Sequence, residues 1–209
     1  MPSSRYLARD AVRLIVERLE NKGRDPVSIL ELGPGTGTFT ERILPHLRDD
    51  DRFDAVELNT YFYKILRRRF KSNTILKIHH QDFLTFQSEN KYDFVISSLP
   101  YEGIPSKVTR KMWEHKLSLC NPDAYIIYYK YVNFNQFRSR FEKQMVRNYC
   151  EDKKLVFLNM PPARLLTLKI NKAGDLNESH GEVNAPDSNG ITNGKHTEGS
   201  DSRIVSNGY

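Results

Sequence analysis

The sequence is poor in cysteine and in long apolar segments. Its 209 residues include only two cysteines, Cys120 and Cys150, which are too few for a disulfide framework or a four-thiolate zinc site. Apolar stretches such as 124–129 have the length of a strand, whereas a membrane-spanning helix needs roughly 20 residues. The amino terminus enters a charged helical pattern at once and lacks the apolar core of a signal peptide. We therefore expect a soluble, cytoplasmic protein with reduced thiols.

Positive charge is concentrated in the first 171 residues. The chain has 32 basic and 26 acidic residues, a net charge of +6. Residues 172–209 contain three basic and six acidic residues, so residues 1–171 carry +9. A surface this basic favours a polyanionic partner, either nucleic acid or anionic lipid. A basic surface that only keeps the protein soluble agrees equally well with this count.

Composition changes near residue 171. Beyond it, asparagine, glycine, serine and acidic residues dominate, and no aromatic residue occurs before Tyr209. Such a segment cannot bury enough apolar surface to offset the entropy of ordering. We predict one folded domain over 1–171 and a disordered polar tail over 172–209.

Within the first 171 residues, strand-like and helix-like patterns alternate, which predicts an α/β fold with a mostly parallel sheet. A helix with an apolar face should begin after Ser3 or Ser4 and end near Gly23. Further helices are predicted at 38–47, up to residue 69, at 106–119 and at 134–149. Strands are predicted at 27–32, 53–58, 75–78, 93–97, 124–131, 155–158 and 165–170, the last two as an antiparallel pair.

A glycine-rich loop joins the first predicted strand to the next helix and reads Glu31-Leu32-Gly33-Pro34-Gly35-Thr36-Gly37-Thr38. Glycines at the carboxyl end of a parallel strand let the backbone approach a nucleotide closely. No lysine follows them, which argues against a phosphate-gripping P-loop.

Two acidic residues end the following strands. Glu57 lies 20 positions beyond Gly37, where a carboxylate can accept hydrogen bonds from both ribose hydroxyls. Asp82 follows the third strand, where its carboxylate could accept a hydrogen bond from the amino group of adenine. Each could instead be a solvated strand end, but their joint placement with the loop predicts a nucleoside site.

These motifs resemble class I S-adenosylmethionine-dependent methyltransferases, whose first motif is the E-x-G-x-G-x-G pattern found at 31–37. The resemblance covers nearly all of residues 3–171. It implies a Rossmann-like fold with a seven-stranded, mostly parallel sheet that ends in an antiparallel pair, and S-adenosylmethionine as cofactor. Glu31 and the loop would lie near the methionine part, Glu57 at the ribose, and Asp82 with Phe83 at the adenine. The cofactor-binding residues implied are Glu31, Gly33, Gly35, Gly37, Thr38, Glu57, Leu58, Asp82, Phe83 and Ser97.

The segment after the fourth strand, Ser97-Ser98-Leu99-Pro100-Tyr101, stands where this family has its acceptor-side motif. Adenine-N6 dimethylases of ribosomal RNA carry Asn-(Leu/Ile)-Pro-(Tyr/Phe) there, and the asparagine holds the amino group while the aromatic ring stacks on the base. This chain has Ser98 in place of the asparagine. Bacterial phospholipid N-methyltransferases carry Ser-(Gly/Ser)-Leu-Pro and are more similar. They also share a Ser-Ser-containing first helix and an Asn-x-Pro-Pro-Ala motif, found here at 159–163.

The resemblance therefore implies methylation of the amine of phosphatidylethanolamine or a related aminolipid, and the acceptor wall would be Ser98, Leu99, Pro100 and Tyr101. The alternatives are adenine-N6 methylation of ribosomal RNA and a non-catalytic docking module. No clear general base is apparent, although His79 or His80 could assist. Arginine-rich helices could contact anionic lipid at the inner membrane face. Their apolar stripes, including the one formed by Phe134, Phe137, Phe141 and Met145, suit packing on the sheet as well.

Overall fold

The computed structural model describes residues 4–21, 23–99, 104–132 and 140–171. Its strands are β1 (Ser28–Leu32), β2 (Arg52–Glu57), β3 (Leu76–His80), β4 (Tyr92–Ser97), β5 (Cys120–Tyr131), β6 (Cys150–Val156) and β7 (Ala163–Ile170). They form one sheet in the order β3-β2-β1-β4-β5-β7-β6. Neighbours from β3 to β5 are parallel, and β7 runs antiparallel to both β5 and β6. The predicted fold class is confirmed.

Within the described ranges, five helices cover the sheet: α1 (Arg5–Glu20), α2 (Thr40–Ile43), α3 (Thr60–Arg69), α4 (Ser106–Ser118) and α5 (Arg140–Tyr149). The helix predicted over 38–47 is shorter than expected, because α2 gives way to a 3-10 turn, Leu44–His46. Pro45 lies in that turn, and a proline cannot donate the hydrogen bond that would continue an α-helix. No helix in the described ranges is long and apolar enough to cross a bilayer.

The prediction of a strand over 155–158 is wrong in its position. β6 ends at Val156, which pairs with Ala163, so that residues 157–162 form the turn between β6 and β7. Pro161 and Pro162 lie in this turn, and prolines cannot donate to a strand ladder. The apolar residues Phe157 and Leu158 therefore project from the β6–β7 turn and are largely exposed.

Helix α1 packs its apolar face on the sheet, against a core that includes β1, β5 and β7. Ser4 caps the helix through its Oγ, which accepts a hydrogen bond from the Leu7 amide at 3.2 Å. The Ser4 amide in turn donates to Asn159 Oδ1 at 2.9 Å. The start of α1 is thus attached to the β6–β7 turn.

Helix α4 packs on β5, and α4 and α5 pack against each other. Trp113 packs edge-on against Tyr128, with ring centroids 5.2 Å apart. In α5, Met145 is buried, and Phe141 lies under the guanidinium of Arg110. The described part of the predicted aromatic stripe therefore packs against the protein. Phe134 and Phe137 lie outside the described residues, as does the predicted tail, 172–209.

A buried ion pair fixes the start of β1 to the start of β2. The side chains of Arg24 and Asp51 are both fully buried and joined at 2.5 Å. Burial by itself would raise the pKa of Asp51, but the Arg24 guanidinium and the amides of Arg48 and Val27 bind its carboxylate and lower the pKa below its usual value.

We expect Asp51→Ala to lower the free energy of unfolding by about 3–5 kcal/mol, because it leaves the Arg24 charge buried without its partner. Urea denaturation at neutral pH measures this loss. Asp50→Ala is the matched control, since Asp50 is exposed and its pair with Arg48 lies at the surface; it should cost less than about 1 kcal/mol. Equal losses in the two variants would contradict the assignment.

Candidate functional site

The parallel strands β1, β2, β3 and β4 end at one edge of the sheet, which we call the carboxyl edge. The glycine loop, residues 33–38, leaves β1 at this edge. The amide of Gly33 donates to Val56 O, and the amide of Ser98 donates to Leu32 O, both at 2.9 Å. The segments that follow β1 and β4 are therefore held against their neighbouring strands where the predicted cofactor and acceptor residues meet.

Glu57 connects the glycine loop to the start of α3. Its Oε2 accepts a hydrogen bond from the Gly35 amide at 3.0 Å, and its Oε1 accepts one from the Asn59 amide at 2.8 Å. Each carboxylate oxygen has a second lone pair, so two hydroxyls could still bind. The geometry therefore suits the predicted contact with ribose.

The three glycines of the loop all have left-handed backbone conformations, with φ of 69° at Gly33, 59° at Gly35 and 83° at Gly37. Their surroundings differ. A Cβ on Gly37 would lie 2.6 Å from the ring of Phe70, whereas one on Gly35 would meet no described atom within 4 Å. Gly37 therefore allows the loop to pack on α3, and Gly35 leaves open space over the loop.

Glu31 is fully buried beneath the loop. Its Oε2 accepts a hydrogen bond from Thr40 Oγ1 at 2.6 Å, whereas its Oε1 has no hydrogen-bond partner among the described residues. Burial raises the pKa of this carboxyl to about 7; the Thr40 bond opposes the rise, and the nearby charge of Glu57 adds to it. An unpartnered carboxylate oxygen suits a cationic group, such as the ammonium of an amino acid.

A cleft of about 210 Å³ opens at the carboxyl edge. Six residues predicted from the sequence line it: Gly33, Glu57, Leu58, Asp82, Phe83 and Leu99. Its other lining residues were not predicted and are Val56, Gln81, Leu84 and Met112. Gln81 and Leu84 flank the predicted pair and could have been found by proximity. Met112 comes from α4, and no sequence signal connects it with the loop.

The remaining predicted residues lie around this cleft or outside the described residues. Ser97 is fully buried at the end of β4, and Thr38 Oγ1 lies 3.4 Å from Thr36 Oγ1 within the loop. Pro100 and Tyr101 lie outside the described residues, so their acceptor-side role stays a prediction. Asp82 Oδ1 accepts a hydrogen bond from the Leu84 amide at 2.9 Å, which shapes the wall of the cleft.

Neither histidine considered as a base lines the cleft. His79 Nε2 lies 2.7 Å from the buried Asp54 Oδ1, and the ring of His80 stacks on Tyr63 with centroids 4.6 Å apart. Both rings make structural contacts on β3. The described part of the chain also has no group of three or more His, Cys, Asp or Glu residues that could hold a metal ion.

Replacing each of three glycines by alanine, one at a time, distinguishes the effects of backbone strain, of packing and of ligand contact. Gly23→Ala is the control, because Gly23 has φ of 78° and open space but lies at the end of α1, away from the cleft. We expect it to cost about 1–2 kcal/mol of stability. Gly35→Ala should cost about as much and also weaken S-adenosylmethionine binding. Gly37→Ala should cost a further 1–3 kcal/mol or so, because its methyl overlaps Phe70. Thermal unfolding and calorimetric titration measure both effects, and cofactor affinity unchanged in Gly35→Ala would refute the loop assignment.

Glu31→Gln should stabilise the cofactor-free protein at pH 8 and leave its stability at pH 4 nearly unchanged. The native pKa of about 7 exceeds the ordinary 4.5, so native stability falls as pH rises between these values. The full difference is roughly 3 kcal/mol above pH 7. The same variant should bind S-adenosylmethionine at least about tenfold more weakly, through loss of a charge-assisted contact. Melting curves at both pH values test this, and equal shifts at the two would contradict it.

Relatives of this chain include proteins named as lipid and as RNA methyltransferases. An ornithine lipid N-methyltransferase from Singulisphaera acidiphila is 26% identical over 78% of this chain and 82% of its own length. A probable ribosomal RNA small subunit methyltransferase A from Methanococcoides burtonii is 33% identical over 50% of this chain. An rRNA adenine N-6-methyltransferase from Escherichia coli is 26% identical over 60%. The chain spans 36% of the former and 48% of the latter RNA enzyme.

Solved methyltransferases share the fold. The N-methyltransferase NodS from Bradyrhizobium japonicum WM9, in complex with S-adenosyl-L-homocysteine, superposes with a TM-score of 0.62 at 12% identity. The superposition covers 79% of this chain and 88% of the NodS chain. The magnesium protoporphyrin IX methyltransferase from Synechocystis PCC 6803, with S-adenosylmethionine bound, gives a TM-score of 0.58 at 15% identity, covering 77% of this chain and 78% of its own.

The sequence model of the ribosomal RNA adenine dimethylase family matches residues 6–132, a range that runs from α1 through β5 and contains the whole cleft. The predictions of a class I fold, of methyltransferase activity and of S-adenosylmethionine as cofactor are confirmed. The chain belongs to the ribosomal RNA adenine dimethylase family and is an S-adenosylmethionine-dependent methyltransferase.

Proposed function

We propose that the protein methylates the amine of an aminolipid headgroup, of which phosphatidylethanolamine is our first candidate. The observation that carries this proposal is the serine at position 98. Its amide is bound to Leu32 O at 2.9 Å, so residue 98 is held beside the glycine loop. Adenine dimethylases, which this chain resembles, have an asparagine at this point of the motif.

The chemistry of the side chain distinguishes the two acceptors. An asparagine amide offers a carbonyl and two donors at the end of a longer side chain, which suits the amino edge of a flat base. A serine has one short hydroxyl and lacks that reach. It leaves room for a headgroup amine on a flexible chain, with Leu99 supplying an apolar wall against the Gly33 side of the cleft.

The relatives support the same acceptor class. The ornithine lipid N-methyltransferase aligns over 78% of this chain, whereas the RNA enzymes named above align over 50–60%. Its alignment is the longer one, but its identity of 26% is no higher than theirs. Length of alignment therefore supports a lipid amine, as does the serine at position 98.

The residues of the cleft would bind and orient the reactants. Bound S-adenosylmethionine supplies an activated methyl group on a sulfonium. Glu31 and Glu57 would hold its ammonium and ribose, and Leu99 would shield the reacting atoms from water. The acceptor nitrogen must present a free lone pair in line with the methyl group, so positioning contributes much of the rate.

Adenine-N6 methylation of ribosomal RNA is the second candidate function. It is favoured by the family match over residues 6–132 and by the Leu99-Pro100-Tyr101 sequence that follows Ser98. Both candidates use the same cofactor site, so they differ only on the acceptor side.

Transfer of labelled methyl groups to vesicles containing phosphatidylethanolamine, with ribosomal RNA as a parallel acceptor, tests the proposal. We expect label in the lipid and none in vesicles of phosphatidylcholine alone, which have no acceptor amine. Ser98→Asn should lower lipid methylation about tenfold or more with little change in cofactor affinity, because the larger side chain fills acceptor space. Ser72→Asn, at an exposed position after α3, is the matched control. Label in RNA alone would refute the lipid proposal and support the second candidate.

A further inference from the structure

Exposed large apolar side chains are confined to one side of the described structure. Each lies after a strand of the carboxyl edge, in the first turn of a helix that begins there, near the end of β6, or in the β6–β7 turn. Outside the turn they are Leu58, Tyr61, Leu84, Val108, Val132 and Leu155. Large apolar side chains exposed together on one side of a protein are typical of an interaction face.

The β6–β7 turn is the most exposed part of this face. Phe157, Leu158 and Met160 are 72%, 68% and 89% exposed. The strand register places the turn at the carboxyl edge, because Ala163 pairs with both Val156 and Tyr131, the last residues of β6 and β5. The turn thus stands beside the end of β5, in line with the strand ends that form the cleft.

The turn is held in place although its tip is exposed. Between the exposed residues, Asn159 is 3% exposed, and its Nδ2 donates to Pro161 O at 2.7 Å. Its Oδ1 accepts from the Ser4 amide. On the other side, the Val132 amide donates to Pro162 O at 2.7 Å. These hydrogen bonds connect the turn to the start of α1 and to the end of β5. The backbone that carries the exposed apolar side chains is therefore held in a defined position.

The charged residues next to the turn along the chain are all basic. Residues 153–164 include Lys153, Lys154 and Arg164 and no acidic residue. Lys154 is paired with Asp10 at 2.8 Å, but Arg164 and Lys153 are exposed. Arg5, next to the tethered Ser4, is exposed as well. An apolar tip with a basic surround is complementary to an anionic lipid surface.

We propose that the β6–β7 turn inserts Phe157, Leu158 and Met160 into the interface of an anionic bilayer and so turns the carboxyl edge toward the headgroups. The inference rests on the proposed function, since it supplies the docking surface that an aminolipid acceptor requires. Basic residues would draw the protein to the surface, and the apolar tip would hold it there.

The test measures binding to vesicles of phosphatidylcholine and phosphatidylglycerol, which contain no acceptor amine, by cosedimentation. The variant Phe157→Ser/Leu158→Ser/Met160→Ser leaves the charge unchanged. We expect it to bind about tenfold or more weakly than the unaltered protein. The control Arg67→Ser/Arg68→Ser/Lys71→Ser removes three exposed charges near the end of α3. This helix packs on β2 and β3, which lie at the other end of the strand order from β7 and β6. It should bind within about twofold of the unaltered protein, because charges beyond a Debye length are screened.

Melting temperature and S-adenosylmethionine affinity should be unchanged in the turn variant, and Met160→Ser alone gives a milder second test. Vesicle affinity unaffected by the turn variant would overturn the inference, as would equal losses in the turn variant and the α3 control. Binding to ribosomal RNA with none to vesicles would also overturn it. Turn-dependent vesicle binding without methylation of any aminolipid would leave the inference standing and refute the proposed function alone.

Discussion

The site depends on one carboxylate that accepts two backbone hydrogen bonds. Glu57 accepts hydrogen bonds from the backbone amides of Gly35 and Asn59. These two residues belong to the segments that follow β1 and β2. Because the two strands are neighbours, a single side chain can set the distance between the glycine loop and the start of α3. Arg69 strengthens the same connection from the far end of α3 by donating to Thr36 O at 2.7 Å. The cleft is therefore formed by backbone held in place before any ligand binds.

The sequence predicted the strand ends well and the outer parts of the sheet less well. The strands β1 to β4 lie within two residues of the predicted positions, because each contains apolar residues and is bounded by polar or glycine-containing segments. The segment 155–158 has the same apolar appearance, yet Phe157 and Leu158 belong to a turn. Composition cannot distinguish apolar residues that enter a core from apolar residues held at the surface.

A similar limit applies to the site. Residues adjacent to the motif, such as Gln81, follow from their neighbours, whereas Met112 reaches the cleft only because α4 crosses the sheet there. The unusual state of Glu31 could not be predicted either. Its raised pKa results from complete burial with one oxygen unpartnered, and burial at a strand end is a property of the folded protein. The motif predicted Glu31 as a site residue, and the structure shows that its carboxyl group lies in an unfavourable environment, as is common at functional sites.

The position of β7 has a consequence for how the protein folds during synthesis. β7 lies between β5 and β6 in the sheet, although it is the last of the three to leave the ribosome. Until it emerges, β5 has an open side and β6 has no strand partner among the described elements, so both present unpaired backbone groups to other chains. The Ser4 amide likewise cannot form its hydrogen bond until Asn159, 155 residues later in the chain, has been synthesised. The nascent chain therefore remains open to mispairing until β7 is inserted, and α1 is anchored at the carboxyl edge only after the β6–β7 turn has formed.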